Sequence, residues 1–222
     1  MMNTLISDIL FGFAALISII NPFGMAFVFY DSTAALAEHE RRLLARKVAI
    51  NSCLVLLVAF FVGTPVLHFF GISIEALRIG GGLSVSVSGW QMLTAPDTPA
   101  SEPATHYTSA TVASKALFPL TIPLTTGPGS IATAIALNAH RMHELSAFLL
   151  SAISSVAISV LVMVVIYLVY GHAARLARYF GAGGMRVAVR VSSFLLLCIG
   201  VQIMLTGFQG FLAPLASLHG AQ

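Results

Sequence analysis

Charge is scarce in this sequence. Among 222 residues, 11 are Lys or Arg and 8 are Asp or Glu, a 9% share. A soluble globular domain carries about three times as much. A soluble fold with 58% hydrophobic residues has too few water-facing groups to cover its surface. The shortage therefore excludes a disordered chain, a nucleic-acid-binding domain and nearly every cytoplasmic enzyme. Cysteine is almost absent as well. Cys53 and Cys198 both lie inside apolar runs and read as small hydrophobic residues. With them go the CxxC pair, Cys/His ligand spacing and haem attachment. The N-terminus has no basic stretch or cleavage site of the kind a signal peptide carries. The seven histidines, His39, His68, His106, His140, His143, His172 and His219, never form a ligand pair on one apolar run. No serine stands in a nucleophile elbow. The expectation is therefore no catalytic residue, no metal site and no cofactor.

What remains is hydrophobic length. A mean hydropathy of +0.93 and 222 residues allow about six or seven spans of ~20 residues each. The apolar runs place six: residues 5–30, 48–70, 74–93, 116–138, 145–170 and 191–212. A charged segment over 31–47 reads as the connection and interfacial start of the second span. A tight turn is expected at Gly71 to Ser73. Pro96, Pro99 and Pro103 interrupt the one hydrophilic loop, 95–115. Arg141, His143 and Glu144 mark another turn, and a basic, glycine-containing connection is expected over 171–190.

The connections after spans 1, 3 and 5 and their margins hold nine basic residues: Arg41, Arg42, Arg46, Lys47, Lys115, Arg175, Arg178, Arg186 and Arg190. The opposite side holds Arg78 and Arg141. Positive-inside bias then puts the odd connections in the cytoplasm and both termini in the periplasm.

The chain also repeats itself. Gly89-Trp90-Gln91-Met92-Leu93 near the end of span 3 matches Gly200-Val201-Gln202-Ile203-Met204-Leu205 in span 6. Span 1 contains Asn21-Pro22-Phe23-Gly24. Span 4 contains Pro119, Pro123 and Thr126-Gly127-Pro128-Gly129-Ser130. Proline in a helix interior costs about 3 kcal/mol and glycine up to about 1. Spans 1 and 4 are therefore expected to be discontinuous. Three spans per half turn the second half upside down. The fold expected is an all-α membrane protein of six transmembrane helices in two inverted three-helix repeats, 1–94 and 116–222, joined by a cytoplasmic loop at 95–115.

Inverted repeats with interrupted helices at matching places point to a transporter's substrate site. Ser18, Asn21, Pro22, Phe23 and Gly24 stand at the first break. Thr125, Thr126, Gly127, Pro128, Gly129 and Ser130 stand at the second, with Thr121 nearby. Free amides at a half-helix N-terminus favour a carboxylate, and carbonyls at a half-helix end suit an ammonium group or a cation. Close helix packing is the alternative use of the same small residues. There is no lysine or arginine at mid-span, which argues against strongly anionic solutes. There is no mid-span carboxylate either, which argues against polyvalent metals. Sodium coupling stays open through hydroxyls and carbonyls. Proton coupling has Glu75, Asp8 and His68 as candidates. Glu75 and Arg78 can share a helix face as an ion pair or serve in gating. Gln91 and Gln202 occupy equivalent places and read as interfacial polar residues or, where they face a cavity, as groups that tune selectivity by hydrogen bonding. Gly80-Gly81-Gly82 favours close contact with a neighbouring span.

Several longer motifs carry a family resemblance. They are Asn21-Pro22-Phe23-Gly24, Phe70-Gly71-Ile72-Ser73-Ile74 running into Leu77-Arg78-Ile79-Gly80-Gly81-Gly82, and Pro119-Leu120-Thr121-Ile122-Pro123. To these are added Thr126-Gly127-Pro128-Gly129-Ser130-Ile131-Ala132 and Cys198-Ile199-Gly200-Val201-Gln202. Over nearly its whole length the chain resembles the MarC-related (UPF0056) family of bacterial inner-membrane proteins, which is also grouped with small neutral amino acid transporters. The resemblance implies six spans in the bacterial inner membrane and, for some relatives, transport of small amino acids such as alanine or glycine. The chain departs from the pattern at Phe27, where many relatives have proline, and at Thr126, often a smaller residue. The partners expected are a small neutral solute and the lipid bilayer, with no nucleic acid. A homo-oligomer is left open. A channel or exporter and a non-transporting scaffold are the competing readings.

Overall fold

The computed structural model of the chain describes residues 2–33, 36–95, 116–138 and 145–219. The loop expected over 96–115 and the turn around Arg141, His143 and Glu144 lie outside the described residues. The regular structure among the described residues is entirely helical.

The first apolar run divides into α1 (Met2–Ile20) and α2 (Pro22–Ser32). The cause is local. Pro22 has no N–H to give the ladder, and Asn21 takes φ 47°, a left-handed conformation that asparagine tolerates better than most residues. Its Oδ1 accepts the Gly24 N–H at 3.3 Å, so Asn21 caps the helix that Pro22 begins. Asn21 N–H still reaches Ile17 O at 2.9 Å, and Met25 N–H reaches Asn21 O at 3.0 Å. The chain bends here without opening.

The charged segment that follows is largely helical. α3 (Glu38–Phe70) starts with Glu40 accepting from the Ala37 N–H at 3.1 Å and a Glu38–Arg42 salt bridge of 2.8 Å. Arg41 turns inward. It donates to Thr33 O at 3.0 Å and Leu36 O at 3.1 Å, and its guanidinium carbon lies 4.7 Å from the centre of the Tyr30 ring. One buried cation thereby ties the end of α2 to the start of α3. The expected turn at Gly71 is present. Gly71 has φ 66°, and its N–H and that of Ile72 close on His68 O and Leu67 O, a glycine-dependent helix end. Ser73 then caps α4 (Ile74–Thr94) by accepting from the Ala76 N–H at 3.1 Å.

The second interrupted run is a π-helical segment (Ala116–Thr125) followed by α5 (Pro128–Asn138). Next come α6 (Leu145–Gly171) and α7 (Ala173–His219). The connection expected over 171–190 is instead helical on both sides of a kink at Gly181, which has φ 63° and ψ 175°. Residues 173–180 contain only helix-compatible side chains. The glycine alone supplies the break.

Four stretches are long and apolar enough to cross a bilayer: Leu5–Tyr30, Glu38–Phe70, Leu149–Gly171 and Gly183–Ala213. Six spans were expected. α4 has 21 residues, about 31 Å at 1.5 Å per residue, but its Glu, Arg, glycines and serines keep it off that list. The stretch 116–138 is divided by its own break. The bundle is nonetheless apolar outside and hydroxylated inside. Phe11, Phe69, Leu10 and Leu161 are among its exposed large side chains, while Thr121, Thr125, Ser154, Ser159 and Ser193 are buried. That distribution suits lipid as the solvent. Cys53 is buried and Cys198 is exposed.

Packing follows an exchange pattern. α4 makes its most extensive contact with α7, and α3 packs against α6. α3 also packs on the π-helical segment and α5, as α6 does on α1 and α2. α4 rests on α5, as α7 rests on α2. Small residues make this close. A Cβ at Gly82 would lie 2.6 Å from Gly200 O, and one at Gly81 would lie 2.6 Å from Ala132 Cβ. Gly207 meets Glu75 and Ile79, and Gly89 meets Leu197 and Ser193, so α4 and α7 run antiparallel. At the end of α5, Asn138 Nδ2 donates to Phe60 O at 2.6 Å and Ser151 donates to Asn138 Oδ1, joining three helices through one amide.

Candidate functional site

Two prolines and three threonines shape the second break. Pro119 and Pro123 cannot donate to a helical ladder. Thr121 and Thr125 add side-chain bonds of their own, donating to Ala116 O at 2.6 Å and Leu120 O at 2.7 Å, five residues back. Thr126 N–H reaches Thr121 O at 2.7 Å, again five back. Such widened turns occur often at functional sites. The α-helical ladder resumes only with Ile131 N–H to Gly127 O at 3.2 Å. The amides of Gly129 and Ser130, in the first turn of α5, therefore have no acceptor within the helix.

A cavity of about 340 Å³ opens at this point. Gly127, Pro128, Gly129 and Ser130 form one wall with Thr125. Ser84, Ser88 and Gln91, spaced four and three residues apart along one face of α4, form another with Ala95 just past its end. Ile19, Ile20 and Met25, on either side of the first break, complete it with Val85, Met92 and Leu196. The volume falls at the lower end of the range for small-molecule sites. Its described lining has no ionisable side chain. Hydroxyls, one carboxamide and peptide groups are its polar equipment, and the rest is aliphatic or thioether.

The two breaks are thus brought to one cavity, but not all of their residues reach it. Thr125, Gly127, Pro128, Gly129 and Ser130 do. Thr126 is buried beside them, its Oγ1 without a hydrogen-bond partner among the described residues. At the first break Pro22 is buried, Phe23 is exposed, and Ser18 bonds back to Ala14 O at 2.8 Å. Asn21 Nδ2 faces Ser192 O of α7 at 3.4 Å. Gly24 packs so tightly on Ser192 that a Cβ would meet that side chain at 2.6 Å.

Gln91 lines the cavity and Gln202 does not. Glu75 and Arg78 lie at the far end of α4, where Glu75 meets Gly207 and Gly210 and Arg78 meets Gly207 of α7. No salt bridge joins them. Among the described residues no group of three His, Cys, Asp or Glu is placed to hold a metal ion.

Sequence reasoning missed two features. The serine face of α4 was legible as a polar stripe at helical spacing, Ser84, Ser88, Gln91. Tyr170 had no such signal and marked only a span end. It is fully buried, shares a 3.0 Å hydrogen bond with Thr125 Oγ1, and stacks on Phe29 of α2 at 4.7 Å. The cavity wall is thereby braced against the first interrupted helix. Phe27 packs edge-on to Phe180 of α7, with ring centres 5.9 Å apart.

Comparison with known proteins gives a consistent picture. The family model described as "MarC family integral membrane protein" matches residues 6–212. The chain is 30% identical over 203 residues to the "UPF0056 inner membrane protein MarC" of Escherichia coli (strain K12), covering 88% of this chain and 91% of that relative. The protein of the same name from Shigella flexneri is similar to the same extent. No solved structure matches.

Proposed function

The chain belongs to the MarC family of integral membrane proteins, and from that premise we propose that it is a secondary carrier for a small neutral solute in the bacterial inner membrane. The observation that carries this reading is the uncharged cavity between the two helix breaks. A solute carboxylate is matched by the Gly129 and Ser130 amides and the positive end of the α5 dipole. Gln91, Ser84 and Ser88 supply carbonyl and hydroxyl oxygens on the facing wall for an ammonium group. The aliphatic remainder suits a short side chain, so alanine, glycine and serine are the solutes to try first. Water-lined irregular backbone at membrane depth is tolerated where it borders such a cavity.

In this reading the six helical runs form two inverted three-helix repeats that alternate access about the breaks. The matched packing of α4 on α5 and α7 on α2 supports that arrangement. Basic residues on the odd connections support cytoplasmic loops and periplasmic termini. Reconstituted protein should show saturable counterflow of labelled alanine, glycine or serine. Flux that rises linearly with concentration would instead identify a channel. Folded protein that moves no solute from a broad neutral panel would overturn both readings.

A further inference from the structure

α4 and α7 are built as two copies of one device, and one copy is in use. We infer that the protein has a second state in which the solute is held from the α7 side, by Gln202 and Thr206, in place of Gln91 and the α4 serines. The inference rests on the carrier reading and assigns the residues of its opposite-facing site.

The contact between α4 and α7 is its own mirror. Gly89 lies against Ser193 and Leu197, and Gly200 lies against Gly82 and Ser86. In both cases the partners stand seven and three residues ahead of the opposite glycine. A two-fold exchange that places Gly89 on Gly200 therefore maps the interface onto itself. The same exchange takes Ser84 to Leu195, Val85 to Leu196, Ser88 to Ile199, Gln91 to Gln202, Met92 to Ile203 and Ala95 to Thr206. It also takes α5, which supports α4 behind the second break, to α2, which supports α7 behind the first.

The cavity breaks this symmetry. All six of those residues of α4 and its C-terminal cap line it, whereas on α7 only Leu196 does. Val85 and Leu196 are both buried and sit where the exchange axis passes, so they belong to the cavity in either state. Interchangeable packing surfaces with a one-sided cavity allow a second arrangement, and a solute can select between the two. The unused side is closed by packing more than by polar bonds. Gly24 lies tight on Ser192 of α7, and the one polar contact of the first break with α7, Asn21 Nδ2 to Ser192 O at 3.4 Å, is near the limit of a hydrogen bond. Part of the chemistry survives the exchange. A carboxamide replaces a carboxamide, and Thr206 supplies one hydroxyl where Leu195 and Ile199 stand in place of Ser84 and Ser88.

Solute protection tests this directly. In a Cys53→Ala, Cys198→Ala background, single cysteines are placed by Gln91→Cys, Gln202→Cys and Thr206→Cys. Labelling by a membrane-impermeant maleimide is followed in right-side-out and inside-out vesicles, with and without L-alanine, glycine or L-serine. One of these solutes should slow labelling of the first cysteine from one side of the membrane. It should slow labelling of the other two from the opposite side, by several-fold each. Protection of Gln91→Cys with unchanged rates at Gln202→Cys and Thr206→Cys would overturn the second state and leave the carrier cavity standing. No protection at any position, alongside absent counterflow, would overturn the carrier reading itself. Measuring Thr206→Cys separately guards against a folding defect at Gln202.

Discussion

The two helix breaks face one another across the bundle and solve the same covalent problem differently. At Asn21 the chain spends one left-handed residue and one side-chain cap, and the ladder continues through Asn21 in both directions. At Thr126-Gly127 the approach is a ten-residue π-helix, threonine hydroxyls add to its widened backbone bonds, and the first turn of α5 begins with uncommitted amides. The first break bends a helix, and the second exposes backbone to a cavity. The difference lies in flanking residues. A proline preceded by asparagine allows a compact cap. Two prolines four residues apart, followed by Gly-Pro-Gly, prevent an α-helical ladder over the same length.

That contrast can be broken most severely at Gly129. A Cβ there would collide with Val85 Cγ2, so Gly129→Val should force α5 off α4. Overpacking of this kind costs about 1–3 kcal/mol. Transport should fall by about tenfold or more, since the displaced turn carries the free amides. A thermal melt recorded beside the counterflow assay separates the two effects. Normal transport would mean that the second break is not the solute's wall.

Asn21 gives the next largest effect, and on a different readout. Alanine at φ 47° costs about 1–2 kcal/mol and loses the cap. Glycine tolerates the angle and gives up only a few tenths of a kcal/mol as a cap. The melting order should be wild type, then Asn21→Gly, then Asn21→Ala, with the KM of the surviving carrier little changed. A KM effect as large as that of a cavity residue would make the two breaks functionally alike.

Ser130→Ala should leave the fold intact and raise KM by about fivefold, the equivalent of roughly 1 kcal/mol for one polar contact. Its hydroxyl donates to Gly127 O at 2.8 Å, and rotation of that hydroxyl would turn the proton to a solute carboxylate. The smallest effect is expected for Tyr170→Phe. That change removes the hydroxyl contact to Thr125 and retains the stack on Phe29, and Thr125 keeps its bond to Leu120 O. A stability loss of about 1 kcal/mol or less, seen by thermal unfolding, would fit a brace. A large KM change would instead place Tyr170 in solute binding.

Periodicity, proline, glycine and the shortage of charge determined much of this protein unaided. Lipid as the solvent, the helical runs, the Gly71 turn and both breaks follow from properties that act within a few residues along the chain. So does the close approach of Gly81 and Gly82 to another helix, because glycine invites contact wherever a partner exists. Which partner arrives is a three-dimensional question, and only the tertiary structure decided it. Ser84 and Ser88 reach a cavity because α5 stands opposite them, while the equivalent positions on α7 do not. Tyr170 acquires a role because Thr125 and Phe29 arrive from distant parts of the chain. Glu75 and Arg78 turn to the glycines of α7 and forgo the pairing that their spacing allows. Local sequence sets where a helix must stop. The choice between a dry seal and an open cavity at that point depends on packing against helices tens of residues away.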